Sequence, residues 1–278
     1  MTHSSNIQKK IKGIILPLCC VLSLLSGCAQ QRWKEPLAED ETSNIILLIN
    51  KLQETHNSCP ESLDADARIF WKSPAADSGM IGYLQISSPS YMKYIITNPL
   101  GMMIYAFASD GETFQILNTF KYQHIRGNIR SLITRQKLPL VLAEGDWFSY
   151  LSGRLPPYPL KIQQVTRDAS DQTVWALLAR SESSKTDDQR WIHIDPQHQK
   201  LLGYLFLDTS GKTLAEISYE KQENNGENCK PKEKITITEL PWGSEIRIEL
   251  QDISTATQFN QSDFTLPVPR DYYKQLQP

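Results

Sequence analysis

From about Arg68 to Leu250, apolar residues recur at every second position, and this alternation constrains the fold of the 278-residue chain more than any other feature. Successive side chains of a β-strand point to opposite faces, so a period of two marks strands with one buried face. Met80, Gly82, Leu84 and Ile86 alternate with Tyr83 and Gln85, and Met92, Tyr94 and Ile96 alternate with Lys93 and Thr97. Phe114 and Ile116, Val174 to Leu178, Ile192 and Ile194, and Ile235 and Ile237 repeat the pattern. It is cleanest where Ile246, Ile248 and Leu250 interleave with Glu245, Arg247 and Glu249. Residues 101–108 and 201–207 are apolar on both faces, as fully buried strands are.

Helical spacing is confined to a few places. Ile45, Leu48, Ile49 and Leu52 share one face, with Thr42 or Ser43 available as N-cap. Ile129, Leu132 and Ile133 suggest a second helix. Residues 140–152 carry Trp147, Phe148, Tyr150 and Leu151, with Gly145 as an interruption, Gly153 as a C-cap and Pro156-Pro157 as a stop. The helices are grouped and do not alternate with strands. That predicts an α+β fold with a single curved antiparallel sheet of about 11 strands, and not a parallel βαβ arrangement.

Such a sheet has to cover its apolar concave face. Few helical apolar residues are available, so either the sheet closes into a barrel or helices cover the concave face incompletely. Incomplete cover would leave an apolar pocket. Its candidate lining is Leu84, Ile86, Met92, Tyr94, Ile96, Trp147 and Leu151; the same residues would serve equally well in a filled core.

The N-terminus carries Lys9, Lys10 and Lys12 and no acid, followed by an apolar run from Ile14 to Leu25. About twelve residues suit the apolar core of a secretory signal and are too few to span a bilayer. The run ends in Leu25-Ser26-Gly27-Cys28, which resembles the bacterial lipobox. The resemblance implies a signal peptide over 1–27 and lipid on Cys28. A polar tether over 28–41 and a folded domain over 42–278 follow it. Two or more acyl chains give a stable anchor. Ala29 follows the cysteine where sorting rules place aspartate for inner-membrane retention, which points to the outer membrane, with the domain facing the periplasm.

The leader holds three of the 29 basic residues and none of the 31 acidic ones, leaving the mature chain a net charge of −5. That balance and the lack of a basic stripe argue against nucleic acid. Once Cys19 and Cys20 leave with the leader and Cys28 is acylated, Cys59 and Cys229 remain. An oxidising envelope permits a disulfide between them, but the sequence does not show that they meet.

Thr97-Asn98-Pro99-Leu100-Gly101 lies between two predicted strands, and a later segment reads Phe148-Ser149-Tyr150-Leu151-Ser152-Gly153-Arg154-Leu155-Pro156. Together with the lipobox and the order of elements, these segments resemble the outer-membrane lipoprotein receptor family LolB. The likeness is clearest over residues 66–160. The sequence departs from the family pattern at Arg154 and in the long 221–234 stretch. The resemblance implies a half-open β-barrel whose concave face holds the acyl chains of a lipoprotein cargo handed over by a LolA-type periplasmic carrier. It assigns membrane insertion to Leu100, on a loop built by Asn98, Pro99 and Gly101. From the residues alone, Leu100 could instead pack locally against Met102 or Tyr94.

Catalytic patterns are weak. Ser90-Tyr91-Met92-Lys93 matches Ser-x-x-Lys, but a strand would send Ser90 and Lys93 to opposite faces. His193 and His198 flank Asp195 and Pro196 without a third ligand nearby, which does not suit a metal. No phosphate loop or dinucleotide fingerprint occurs. The reading is therefore of a non-enzymatic protein with no cofactor and no metal, taken as a monomer by default. The alternative is an envelope scaffold lipoprotein whose sheet fills its own core and binds a protein partner.

Overall fold

A computed structural model describes residues 32–144, 146–179, 186–220 and 229–277. The strands are β1 (Trp33–Pro36), β2 (Ser62–Lys72), β3 (Asp77–Ser87), β4 (Tyr91–Thr97), β5 (Met103–Ser109), β6 (Thr113–Asn118) and β7 (Gln123–Asn128). They continue as β8 (Ile162–Asp168), β9 (Val174–Leu178), β10 (Gln189–Asp195), β11 (Lys200–Leu207), β12 (Thr213–Tyr219), β13 (Lys234–Leu240), β14 (Ser244–Ser254) and β15 (Tyr273–Gln277). The helices are α1 (Glu39–Asn57), α2 (Ile129–Arg135) and α3 (Trp147–Ser152), with a 3-10 turn over Leu140–Glu144.

All strands join one open sheet in the order β1-β8-β9-β10-β11-β12-β13-β14-β2-β3-β4-β5-β6-β7-β15. Two meanders, β2–β7 and β8–β14, meet where β14 pairs with β2. Every adjacent pair is antiparallel except β15 on β7. The α+β class and the single sheet are as the alternation predicts, but among the described residues the sheet has 15 strands instead of about 11. β12, with Ala215 and Ile217 in the core, adds to the strands read above, and the alternation itself misses β1, β7 and β15. Their sequences, Trp-Lys-Glu-Pro, Gln-His-Ile-Arg-Gly-Asn and Tyr-Lys-Gln-Leu-Gln, are polar, and backbone pairing at or near the sheet edges places them.

Antiparallel pairing alternates the hairpin turns between two rims. The turns at 73–76, 98–102, 119–122, 208–212 and 241–243 lie on one, here termed the Leu100 rim. The turns at 88–90, 110–112, 169–173 and 196–199 lie on the other, the disulfide rim, together with Cys59 and Cys229. These two cysteines are bridged, with Cα atoms 5.3 Å apart across a sequence separation of 170. Trp33 pairs with Asp168 and so belongs to the disulfide rim.

The main core lies on the concave face. It joins Ile49 of α1 and Phe148, Tyr150 and Leu151 of α3 to inward residues of both meanders, including Ala67, Ile86, Ile192, Phe206 and Ile217. Each fully buried large apolar side chain contributes about 1.5–3 kcal/mol. Gly82 lets β3 fit against β4, since a Cβ there would lie 2.3 Å from the Ile95 carbonyl oxygen and 3.1 Å from the Tyr94 ring.

The convex face is covered at both ends of the chain. Leu266 packs on Ala106, Ala108 and Leu117, which explains why β5 is apolar on both sides. Trp33 packs among Trp175, Trp191, Leu205 and Leu207.

Helix α1 starts at Glu39, ahead of the predicted cap at Thr42 or Ser43. Both hydroxyls instead donate back to carbonyls, Thr42 Oγ1 to Leu37 at 3.3 Å and Ser43 Oγ to Glu39 at 2.9 Å. Glu39, Asp40 and Glu41 favour the positive end of the helix. The stretch read as a tether through residue 41 is therefore part of the fold from β1 onward.

Candidate functional site

The β4–β5 turn is shaped by its own side chains. Asn98 Oδ1 accepts from the amides of Leu100 and Met102, both at 3.0 Å. The Gly101 amide donates to the Asn98 carbonyl at 2.9 Å, and Asn98 N donates to the Met102 carbonyl at 2.9 Å. Asparagine first and proline second suit a tight turn, and Gly101 takes a φ of 79° that a side chain would oppose. The result is a fixed loop that presents Leu100 at 82% exposure, with Met102 also exposed. Leu100 therefore does not pack away against Tyr94, which is buried.

The seven candidate pocket residues come together on the concave side. Leu84, Ile86, Tyr94, Ile96 and Leu151 are buried in the main core, and Met92 and Trp147 are partly buried against it. In this conformation they are packed. Helix α3 is the reason: Asp146 caps it by accepting from Ser149 N at 3.0 Å, and Gly153 ends it with a φ of 71°. Tyr219 Oη donates to the Tyr150 carbonyl at 2.8 Å, and Tyr204 Oη to that of Arg154. Tyr150 meets Tyr204 and Phe206 edge-on, with centroids 4.9 and 5.7 Å away.

Open space lies at the rim away from this plug, whose two ends bond to Pro89 and Lys232 on the disulfide rim. A cleft of about 660 Å³ opens on the Leu100 rim between residues 137–139 and the rim ends of β12, β13 and β14. Leu138, Pro139, Leu214, Leu240 and Pro241 form its apolar walls, with Lys137, Lys212, Glu239 and Glu245 also lining it. Its volume falls within the usual range of ligand sites.

Sequence reasoning missed a polar group inside the concave face. Arg190 shares inward parity with Ile192 and Ile194, lies over the Phe206 ring at 5.9 Å and donates to Tyr158 Oη at 3.3 Å. Burial raises the Asp146 carboxyl above its ordinary value despite its bonds to Ser149 and the nearby Arg190 charge. Tyr150 Oη is buried without a hydrogen-bond partner, and burial pushes its phenol up. The legible signal was a cation on the apolar parity of β10.

Arg154, the departure from the family-like segment, is buried on the disulfide rim. It donates to the carbonyls of Pro60 and, at 2.8 Å, Cys229, so one guanidinium ties both flanks of the bridge to the end of α3. His56 accepts from the Leu155 amide at 2.9 Å. Burial, then the charges of Arg154 and Lys232, lower it to about 4.

The catalytic patterns do not assemble. Lys93 Nζ donates to the Asp263 carbonyl at 2.8 Å. His193 stacks on Trp175 at 4.0 Å and meets Thr173 Oγ1 at 2.7 Å, while His198 pairs with Asp195 at 2.7 Å. Among the described residues no three His, Cys, Asp or Glu side chains group to hold a metal, and no helix is long and apolar enough to cross a membrane. Cys28 lies outside the described residues, as does part of the 221–234 stretch.

An open sheet, antiparallel except at β15, curved around its helices and with its N- and C-terminal meanders joined side by side, is a LolA-like fold. Three solved structures carry the likeness. The LolA superfamily protein NE2245 from Nitrosomonas europaea is 14% identical with a TM-score of 0.50, over 78% of this chain and 97% of that one. An outer membrane lipoprotein-sorting protein domain from Vibrio parahaemolyticus is 13% identical with a TM-score of 0.51, over 78% and 95%. A DUF1329 family protein from Desulfovibrio piger is 10% identical with a TM-score of 0.55, over 80% and 96%. No family model and no curated protein matches the sequence. At these identities the likeness is one of fold.

Proposed function

We propose that this chain is a non-enzymatic lipoprotein of the bacterial outer membrane that binds acyl chains of lipoprotein cargo and passes them into the membrane. In this reading residues 1–27 are removed, Cys28 carries the lipid anchor, and the domain faces the periplasm as a half-open barrel. A LolA-type carrier is the donor. The observation that carries the proposal is the exposure of Leu100 on a rigid loop, on the same rim as the cleft bounded by Leu138, Leu214 and Leu240.

No covalent chemistry is needed. Each acyl methylene exposed to water costs about 0.8 kcal/mol, so apolar contact from donor to acceptor to bilayer removes most of the barrier to transfer. The cleft supplies the first contact, and outward movement of α3 from Leu84, Ile86, Met92, Tyr94 and Ile96 would extend it. Asn98, Pro99 and Gly101 hold Leu100 ready to enter lipid.

One observation favours a second reading. Five of the seven candidate pocket residues are packed in the core, as a scaffold lipoprotein that binds a protein partner would require. Mass spectrometry of lipids co-purified without detergent separates the two. Acyl lipid bound to the wild type and lost in Leu214→Glu supports cargo binding; lipid-free protein with an unaltered fold supports the scaffold.

A further inference from the structure

The Leu100 tip has a neighbour of the same chemistry. In the β6–β7 turn, Phe120 is 76% and Tyr122 60% exposed, and Lys121 stands between them. The turn is fixed to the start of β5. Thr119 N donates to the Ile104 carbonyl at 3.2 Å, and Thr119 Oγ1 reaches the Met103 and Ile104 carbonyls at 3.2 and 3.0 Å. Lys121 N donates to Asn118 Oδ1 at 3.1 Å, and the Tyr122 carbonyl accepts from Tyr273 N at 2.7 Å. Phe120 is thus held outward at the same rim as Leu100, one hairpin away.

We infer that the Phe120-Lys121-Tyr122 turn is a second bilayer-contact element, acting with Leu100 as a two-point foot on a membrane bearing anionic headgroups. The inference rests on the membrane role proposed above for Leu100 and extends it to a turn with no part in that reading. Residues 98–102 and 119–122 contain no acid and one cation, in a chain whose formal charge is −2. A lysine between exposed aromatics suits the interface, where rings sit at headgroup level and the ammonium meets lipid phosphate. Side chains at the ends of narrow turns enter lipid separately and form no groove for a protein segment.

The test uses the chain from residue 28 with Cys28→Ser, which keeps every element of the fold, and vesicles of phosphatidylethanolamine with a minority of phosphatidylglycerol. An environment-sensitive dye is placed singly at Leu100→Cys, Phe120→Cys and, as a control on the same rim, Thr209→Cys. Dyes at 100 and 120 should shift to the blue and be quenched by brominated lipid, while the dye at 209 stays in water. Lys121→Gln should weaken vesicle binding about fivefold, and phosphatidylglycerol-free vesicles should erase that difference. Entry of the dye at 100 with the dye at 120 still in water overturns this inference alone. If neither dye enters, the membrane role of Leu100 falls as well. Shielding of the dye at 120 only by a soluble protein would make the turn a protein contact and also overturn the inference.

Discussion

The indole of Trp33 stacks on that of Trp191, with ring centroids 4.5 Å apart and planes inclined by 24°. Trp175 meets Trp33 edge-on at 6.3 Å, and Arg32, lying over the Trp175 ring, pairs with Glu216 at 2.8 Å. The first described residues are thus clamped across the convex face of β9–β12, and their backbone enters on the rim opposite Leu100, where the Ala169 amide donates to the Arg32 carbonyl at 3.0 Å and Trp33 pairs with Asp168.

This geometry limits an anchor on Cys28. Four residues lead from Cys28 to Arg32 and reach at most about 14 Å, whereas the seven-residue β4, which runs from the disulfide rim to the Leu100 turn, spans about 23 Å. Inserting Leu100 into the membrane that holds the anchor therefore calls for β1 to leave β8. Register places Pro36 opposite Thr166. Oxidative cross-linking of Pro36→Cys to Thr166→Cys should reduce transfer into the anchoring membrane about a hundredfold, because the tether no longer spans the distance. Insertion of Leu100 into separate vesicles should be unchanged, as fluorescence at that position can measure. Undiminished transfer in the cross-linked protein would mean that β1 need not move.

Strands with an apolar face were legible because burial imposes a period of two, as in Ile246-Arg247-Ile248. The strands β1, β7 and β15 were not, since backbone hydrogen bonds at a sheet edge ask little of side chains. The Asn98–Gly101 turn could be read from residue chemistry, and its bonding pattern follows from that chemistry. Whether Leu84 and Ile86 line a space or pack a core could not be read, because the same apolar surface serves both; the position of α3 decides it. Arg190 and Arg154 gain their roles from distant partners, Tyr158 and Phe206 for one and Pro60 and Cys229 for the other.

The Cys59–Cys229 bridge closes a long loop, so its loss should matter. In the chain-entropy account a loop of 170 residues is worth about 5 kcal/mol. Cys59→Ser with Cys229→Ser should lower unfolding free energy by about 4 kcal/mol in urea titrations. Arg154→Met should cost about 2 kcal/mol by leaving two carbonyls without a charged donor. Since Arg154 bonds to the Cys229 carbonyl, the combined variant should lose less than the sum. Strict additivity would mean that the guanidinium does not depend on the bridge.

His56 and His193 should make the fold acid-labile. Each is lowered from 6.5 to about 4, chiefly by burial. The unfolded chain then binds protons that the folded chain refuses between pH 6.5 and 4, so stability is constant above this window and falls as pH drops through it. Each histidine should account for about 3 kcal/mol of the loss. Thermal melting against pH should show this decline. His56→Asn, whose amide oxygen can still accept from Leu155 N, and His193→Gln should flatten it. An equally steep decline in the double variant would assign the lability to carboxylates.

Leu100→Glu tests the tip most directly. Leu100 has almost nothing to pack against in the folded protein, so the substitution should change unfolding free energy by less than about 0.5 kcal/mol. The Asn98 bonds that shape the loop run to backbone amides and persist. Cargo uptake at the cleft should therefore stay intact. Entry into the bilayer is different: the leucine loses its burial, about 1.5–3 kcal/mol, and a carboxylate adds a further cost of desolvation. Delivery into membranes in a reconstituted transfer assay should drop at least about a hundredfold, with Leu100→Ala intermediate at about tenfold. A Leu100→Glu protein that delivers cargo at the wild-type rate would show that the tip does not enter lipid. Loss of cargo uptake in the same variant would instead place Leu100 at the handover from the donor.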